Sequence, residues 1–393
     1  KLQSVTPAIL PMRLHTRYLN IAKVASLAAH GRWDGPCWLH VHAIGELQWW
    51  LDNLQHWNGR ALVLEAPQIT IETDASFHGW GAVIVDPATR RVLHSARGLW
   101  TPKEARLHNN VLELMGVWCA LRAFHEQVRG RVVRVCVDNL VAMAYVNHMG
   151  GRSQQLMGIA RHLWRWCLAR GCVVTSSYLP GVENVPADTL SRVKVDRSDY
   201  RLAAEWFRWL DSRWGVHSVD LFATRINRQV QRFFSLLPEP EATAVDAFAQ
   251  RWGGENGFAH PPIAVIDRVL QQVERQEATI TLVAPLWPGQ HWYPLLAGLC
   301  VDLPVVLPCA ASLLQPSHSR MTAFSRPAPW TTVAWRLSGD TRAQLAFRNA
   351  LRSSWRAGGR TPLQAAMTAP GAAGPSTRLP AGWMDSVLSQ LTS

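Results

Sequence analysis

Acidic residues are scarce in this sequence: 28 Asp and Glu stand against 40 Lys and Arg, a formal net charge of +12 over 393 residues. That imbalance points to a polyanionic partner, nucleic acid foremost, because neutralising phosphates releases condensed counterions. A basic surface kept for solubility is the plainer alternative. Cysteine is sparse and odd in number, with seven residues (Cys37, Cys119, Cys136, Cys167, Cys172, Cys300 and Cys309) and no CxxC pair. A zinc ribbon or dithiol motif is thereby excluded, and the thiols read as buried groups in a reducing, intracellular compartment, cytoplasmic or nuclear. No charged n-region followed by an apolar h-region opens the chain, so secretion is not indicated. Long apolar runs are also missing. The nearest, from Thr279 to Val301, is broken by Pro285, Pro288 and Pro294 and carries Gln290 and His291, so it reads as strand, loop and helix, and no membrane partner is expected. An initiator methionine is lacking at Lys1, which predicts a piece of a larger polypeptide.

What is present divides into stretches. The length exceeds one ordinary domain, so two or three packed units are expected. Residues 1–66 are tryptophan-rich, and Leu47, Trp50, Leu51 and Leu54 recur at helical spacing, which predicts an amphipathic packing helix over Gly45–Leu54. From Gln68 short β-like runs take over: Ile69–Thr73, Gly81–Val85, Arg91–Ala96, Val132–Val137 and Cys172–Tyr178. Between them a helix capped by Asn109 or Asn110 is expected to run to about Gln127, and another from Ser153 to Arg170. The predicted fold class is α/β, a mixed five-stranded sheet with flanking helices, followed by a second α/β domain. A helix is expected over Tyr200–Arg213, leading into that second region, which extends to about Leu307. Gly358–Ala381, rich in Ala, Gly and Pro, reads as linker or disordered tail.

Four carboxylates occupy positions that two-metal chemistry requires. Asp74 follows the apolar run Ile69–Thr73, Asp138 ends the strand Val132–Val137, Glu113 lies one turn into a helix, and Asp188 stands at a helix start after Asn184–Val185–Pro186–Ala187. Clustered carboxylates repel one another unless a hard cation neutralises them. Two magnesium ions, with manganese able to substitute, would activate a water and stabilise the departing oxygen of a phosphodiester. Taken singly, each acid reads more readily as a solvated surface residue.

The ordered set changes that balance. Thr73–Asp74–Ala75–Ser76 with Gly79–Trp80–Gly81–Ala82, then Asn110–Val111–Leu112–Glu113–Leu114, Val137–Asp138–Asn139 and Tyr178–Leu179–Pro180–Gly181 running to Asp188–Thr189–Leu190–Ser191–Arg192 resemble the ribonuclease H domain of retrotransposons, most of all DIRS-type elements. The resemblance covers roughly residues 68–193. It implies a ribonuclease H-like fold, Asp74, Glu113, Asp138 and Asp188 as catalytic metal ligands, and cleavage of the RNA strand of an RNA–DNA hybrid during reverse transcription. Such domains read hybrid shape and 2′-hydroxyls, and Ser76, Asn110 and Asn139 are the short polar candidates for that contact, with turn or capping roles as the alternative. One departure is clear: many cellular and retroviral relatives carry a mobile histidine before the last helix, and Ser177–Tyr178–Leu179–Pro180–Gly181 has none, a lack that several retrotransposon enzymes share. His78 and His148 read as surface residues.

The flanks resemble other parts of such elements. Leu2–Leu19 and Ile44–Arg60 are similar to the segment joining a reverse transcriptase to its ribonuclease H, yet no aromatic-x-Asp-Asp motif occurs, so the polymerase domain is expected upstream as a partner in the same polyprotein. Val219–Asp220–Leu221–Phe222, Val245–Asp246–Ala247–Phe248, Ala259–His260–Pro261–Pro262 and Pro285–Leu286–Trp287–Pro288 resemble the adenine-N6-methyltransferase-like region of DIRS-type elements. His260 and Ile263 replace the polar and aromatic residues that would hold a flipped base, which implies an inactive module. Asp220 is a candidate contact to S-adenosylmethionine, against a capping or surface role. The expected domains are a reverse transcriptase connection over 1–66, ribonuclease H over 67–193, a methyltransferase-like domain over 194–345 and a tail over 346–393. The competing reading is a domesticated or inactive retroelement module that binds nucleic acid or acts as a scaffold.

Overall fold

The computed structural model describes residues 8–57, 59, 65–192, 200–317 and 328–358. Two compact units emerge, one from residues 1–96 with 106–192, the other from residues 97–105 with 193–393. In the first, α1 (Arg17–His30) and α2 (Val41–Trp57) precede β1 (Ile69–Ala75), β2 (Gly79–Val85), β3 (Val92–Leu99), α3 (Asn109–Ala123), α4 (His125–Val128), β4 (Val132–Val137), α5 (Leu140–Asn147), α6 (Gln154–Leu168), β5 (Val173–Tyr178) and α7 (Val185–Ser191). The strands form one mixed sheet in the order β3-β2-β1-β4-β5. This is the expected five-stranded architecture. β1 runs antiparallel to β2 and parallel to β4, with Ile69 opposite Val133 and Glu72 opposite Cys136.

Strand composition explains the layering. β2 reads Gly-Trp-Gly-Ala-Val-Ile-Val and is buried throughout, as suits a strand covered on both faces. β3 lies at the sheet edge and leaves Val92 and Leu93 exposed. α3 supplies Leu112, Leu114, Val117 and Leu121 to the core. It starts one residue before the stretch expected from an Asn cap, because His108 is the N-cap and its Nδ1 accepts from Asn110 N–H at 3.2 Å. It ends at Ala123, and after the buried Phe124 the short α4 carries helix on past Gln127 to Val128. α6 is capped by Ser153, as its sequence suggests.

The buried face of α2 differs from expectation. Ala43, Glu46 and Trp50 face inward, while Leu51 and Leu54 are exposed. The reason is Glu46, whose carboxylate accepts from Tyr18 N–H and Leu19 N–H at 3.0 and 2.9 Å, closing the first turn of α1. Trp50 Nε1 donates to His15 O on the same face at 2.7 Å. Two polar anchors outweigh the leucine stripe in fixing the helix rotation.

In the second unit β6 (Tyr200–Leu202), α8 (Ala204–Trp214), β7 (Val219–Asp220), β8 (Phe234–Ser235), β9 (Ala244–Val245), β10 (Asn256–Ala259), α9 (Ile266–Arg275), β11 (Thr279–Pro285), α10 (Tyr293–Gly298), β12 (Val305–Val306), β13 (Leu314–Pro316), β14 (Thr332–Ser338) and α11 (Thr341–Gly358) follow in turn. Its main sheet has the order β12-β14-β11-β10-β7. β7, β10 and β11 are parallel, and β14 enters antiparallel to β11. Thr279–Val301 is a strand, loop and short helix, as its prolines suggest. Three expectations need correction. Tyr200–Leu202 is a strand paired with β13, leaving the helix to begin at Ala204. The sheet extends past Leu307, since β14 lies inside it. α11 crosses the expected start of the tail at 346, and the expected linker beyond Gly358 lies outside the described residues. Five cysteines are buried, but Cys37 and Cys309 are exposed. Among the described residues no helix is long and apolar enough to cross a membrane.

Candidate active site

The parallel register of β1 and β4 sets the site. Continuing the offset that places Glu72 opposite Cys136 brings Asp74 level with Asp138 at the same ends of two adjacent strands. α3 lies against this sheet and brings Glu113 to them. Ligand oxygens of Asp74, Glu113 and Asp138 all lie within 4.8 Å of one another. α3 packs closely on β1 here: a Cβ on Gly116 would lie 3.4 Å from Ala75 Cβ, at ordinary van der Waals contact.

Burial and mutual repulsion disturb all three acids. Glu113 is 3% exposed, and burial first, then the charges of Asp74 and Asp138, push its carboxyl up to about 9. Its Oε2 is buried without a hydrogen-bond partner. Asp74 is raised by burial and by Asp138 and Asp188, against a hydrogen bond from Ser191 that lowers it. Asp138 is raised mainly by burial, with Asp188 adding to it. An array of this kind is unfavourable as three bare anions and suits a hard divalent cation, which would give the orphaned Glu113 oxygen a partner.

Asp188 takes a different position. It is half-exposed on α7 and accepts from Arg192 Nε at 2.6 Å, while its charge still reaches Asp74 and Asp138. The structure therefore brings three of the four expected acids into one cluster and leaves the fourth at the rim beside a cation.

Two residues that the sequence did not single out hold this arrangement. Ser191 is 2% exposed, and its Oγ donates to Asp74 Oδ2 at 2.5 Å. Asn184 is fully buried, and its Nδ2 donates to Thr73 O at 2.8 Å, tying the start of α7 to β1. α7 sits directly on β2 because position 81 is glycine: a Cβ there would meet Ala187 O at 2.4 Å and Ser191 N at 2.6 Å. Ser191 and Asn184 both lie within the Tyr178–Arg192 block, and α7 faces the Gly79–Trp80–Gly81 spacing, but neither stretch of sequence names its distant partner.

The three polar candidates for nucleic-acid contact are engaged internally. Ser76 is buried, donates to Ser191 O at 2.8 Å and accepts from His78 N–H at 3.1 Å within its own turn. Asn139 caps α5 through Val141 and Ala142 N–H, and its Nδ2 donates to Asn110 Oδ1 at 2.9 Å. The capping and turn roles are thus occupied, with Asn110 and Asn139 linked across the gap between α3 and α5. His148 is exposed and His78 half-buried.

In the second unit Asp220 is neither on the surface nor at a helix cap. It is 3% exposed at the end of β7, and its Oδ2 accepts from Gln229 N–H at 2.9 Å. His260 follows the adjacent strand β10, is held by the backbone of Tyr200, and is pushed by burial down to about 4.

Residues 66–169 match the family model described as an RNase H-like domain found in reverse transcriptase. No curated protein matches the chain. Among solved structures, the N-terminal RNase H domain of Rv2228c from Mycobacterium tuberculosis is 18% identical over 32% of this chain and 91% of its own, with a TM-score of 0.26. RNase H1 from Halobacterium salinarum is 16% identical over 31% of this chain and 92% of its own, at 0.26. The prototype foamy virus protease–reverse transcriptase is 14% identical over 51% of this chain but 28% of its own, at 0.24. Residues 66–169 are thus similar to an RNase H-like domain of the reverse transcriptase kind.

Proposed function

We propose that the first unit is a metal-dependent ribonuclease H that cuts the RNA strand of RNA–DNA hybrids. The observation that carries this reading is the cluster of Asp74, Glu113 and Asp138, held within 4.8 Å with one buried oxygen unpartnered. These three acids, joined by Asp188 from the rim, would hold two magnesium ions, or manganese in their place. When bound, the ions supply a water of lowered pKa and neutralise charge on the departing oxygen during in-line displacement. Ser191 orients Asp74, and its hydrogen bond opposes the burial that raises this carboxyl. Arg192 restrains Asp188 until a cation competes for it. Asn110 and Asn139, coupled to each other, present short amide groups beside the acids for the minor groove of the hybrid.

The wider setting follows from the resemblance of the four ordered blocks to DIRS-type retrotransposons. In that reading residues 1–66 are the connection to an upstream polymerase domain of the same polyprotein, 67–193 the nuclease, 194–345 a methyltransferase-like module and 346–393 a tail. In the module, β7 and β10 are parallel neighbours that place Asp220 close to the Ala259–His260–Pro261–Pro262 turn. Asp220 is occupied by backbone and His260 is held by Tyr200, which supports a module without methyl transfer.

The deciding experiment incubates the protein with a labelled RNA–DNA hybrid and magnesium beside the variant Asp138→Asn. Magnesium-dependent cleavage of the RNA strand by wild type, lost in D138N with hybrid binding retained, is expected. Binding without cleavage by both proteins would sink the nuclease reading in favour of a scaffold.

A further inference from the structure

A cavity of about 310 Å³ lies in the first unit, away from the carboxylates, between the start of α1 and the loop joining α5 to α6. Arg13 and Arg17 line one side and His148 the other. Neither arginine has an ion-pair partner among the described residues. The opposite wall is a fixed loop. α5 ends with Gly150 N–H bonded to Tyr145 O at 2.9 Å and Met149 N–H to Val146 O at 3.2 Å, which puts Met149 in the left-handed position where glycine is usual, at φ 56°. A Cβ on Gly150 would strike Met157 Sδ at 2.2 Å, and one on Gly151 would strike the Tyr145 ring at 2.4 Å. The loop backbone is therefore seated directly on two buried side chains. Met149 is itself only 6% exposed while lining the cavity, so the strained residue shapes its wall.

The acidic centre cannot attract a polyanion. Four carboxylates set against phosphates repel them until cations bind, so affinity has to come from cationic groups elsewhere on the same unit. We infer that this cavity seats the sugar–phosphate backbone of a bound nucleic-acid strand, with Arg13 and Arg17 each paired to a phosphate. This rests on the nuclease reading for the identity of the strand, and it extends the footprint beyond the carboxylates. Two phosphate contacts steepen the salt dependence of binding by about 1.8 in log–log slope, which corresponds to roughly 60-fold in affinity at about 0.1 M salt.

The test measures binding of a length series of RNA–DNA hybrids by the full chain carrying D138N, which separates affinity from cleavage, with and without R13E/R17E. The expected result is a shallower salt slope and a loss of tens-fold in affinity for long hybrids. Hybrids too short to reach past the carboxylates should show no change, and R13K/R17K should restore most of the slope. Unchanged affinity and slope for long hybrids in folded R13E/R17E overturn the inference. So does saturable binding of inorganic phosphate at Arg13 and Arg17 alongside unchanged hybrid affinity, which marks a free-phosphate pocket. Failure of the nuclease reading is separate: it appears as no cleavage of any hybrid by wild type.

Discussion

Glu113 should make the metal-free protein lose stability as the pH rises. An acid whose folded pKa lies above its unfolded value binds its proton more tightly when folded, so its penalty is absent below about 4.5 and grows until about 9. At about 1.36 kcal/mol per unit, the full shift is worth up to about 6 kcal/mol and the portion reached at pH 7 about 3 kcal/mol. Glu113→Gln keeps the shape and removes the charge. In a chelating buffer, hydrogen exchange of amides in β1 and β4, corrected for intrinsic rates, should show E113Q more protected than wild type by about 3 kcal/mol at pH 7 and nearly equal at pH 4.5. Added magnesium should reverse the order, because wild type then gains binding free energy that E113Q lacks. Parallel pH profiles for the two proteins without metal would refute the reasoning, since they would mean that Glu113 is solvated or that its neighbours do not feel it.

Other perturbations probe the supports around it. Ser191→Ala removes the hydrogen bond that lowers Asp74, so the acid limb of the cleavage pH profile should move to higher pH, with about 1.5–3 kcal/mol of local stability lost by hydrogen exchange. Gly81→Ala drives a methyl into the α7 backbone and should cost about 3 kcal/mol in denaturant unfolding of this unit while lowering cleavage, whereas Gly158→Ala, with open space at its Cβ, should be harmless. Glu46→Ala leaves two amides at the start of α1 unpaired and should raise exchange across α1 by an amount equivalent to about 2 kcal/mol, leaving β1 exchange unchanged.

The sheet of the first unit was legible because its strands are short apolar runs bounded by turn residues, and local pattern suffices for that. The acids were legible only as an ordered set. What local pattern missed is what depends on distant partners. Ser191 and Asn184 reach Asp74 and Thr73 across more than a hundred residues. The leucine stripe of α2 pointed to the wrong buried face because Glu46 serves a different helix. β14 lay within the expected second domain, 194–345, but was not read as a strand, since its partner β11 precedes it by a long connection. At residue 108 an unusual capping histidine displaced the expected asparagine, a choice that propensity alone ranks low.

The shared register of β1 and β4 also determines where this chain can change length. Side chains alternate along a strand, so a slip of one residue between these two would turn Asp74 or Asp138 to the opposite side and scatter the cluster. Insertions in the loops between the elements that join them leave the pairing untouched. A map of tolerated insertions should therefore be blank across two short windows, residues 69–74 and 133–138, and permissive in the exposed turn near Asp86–Arg90, giving a measurable outline of the centre that needs no assay of catalysis.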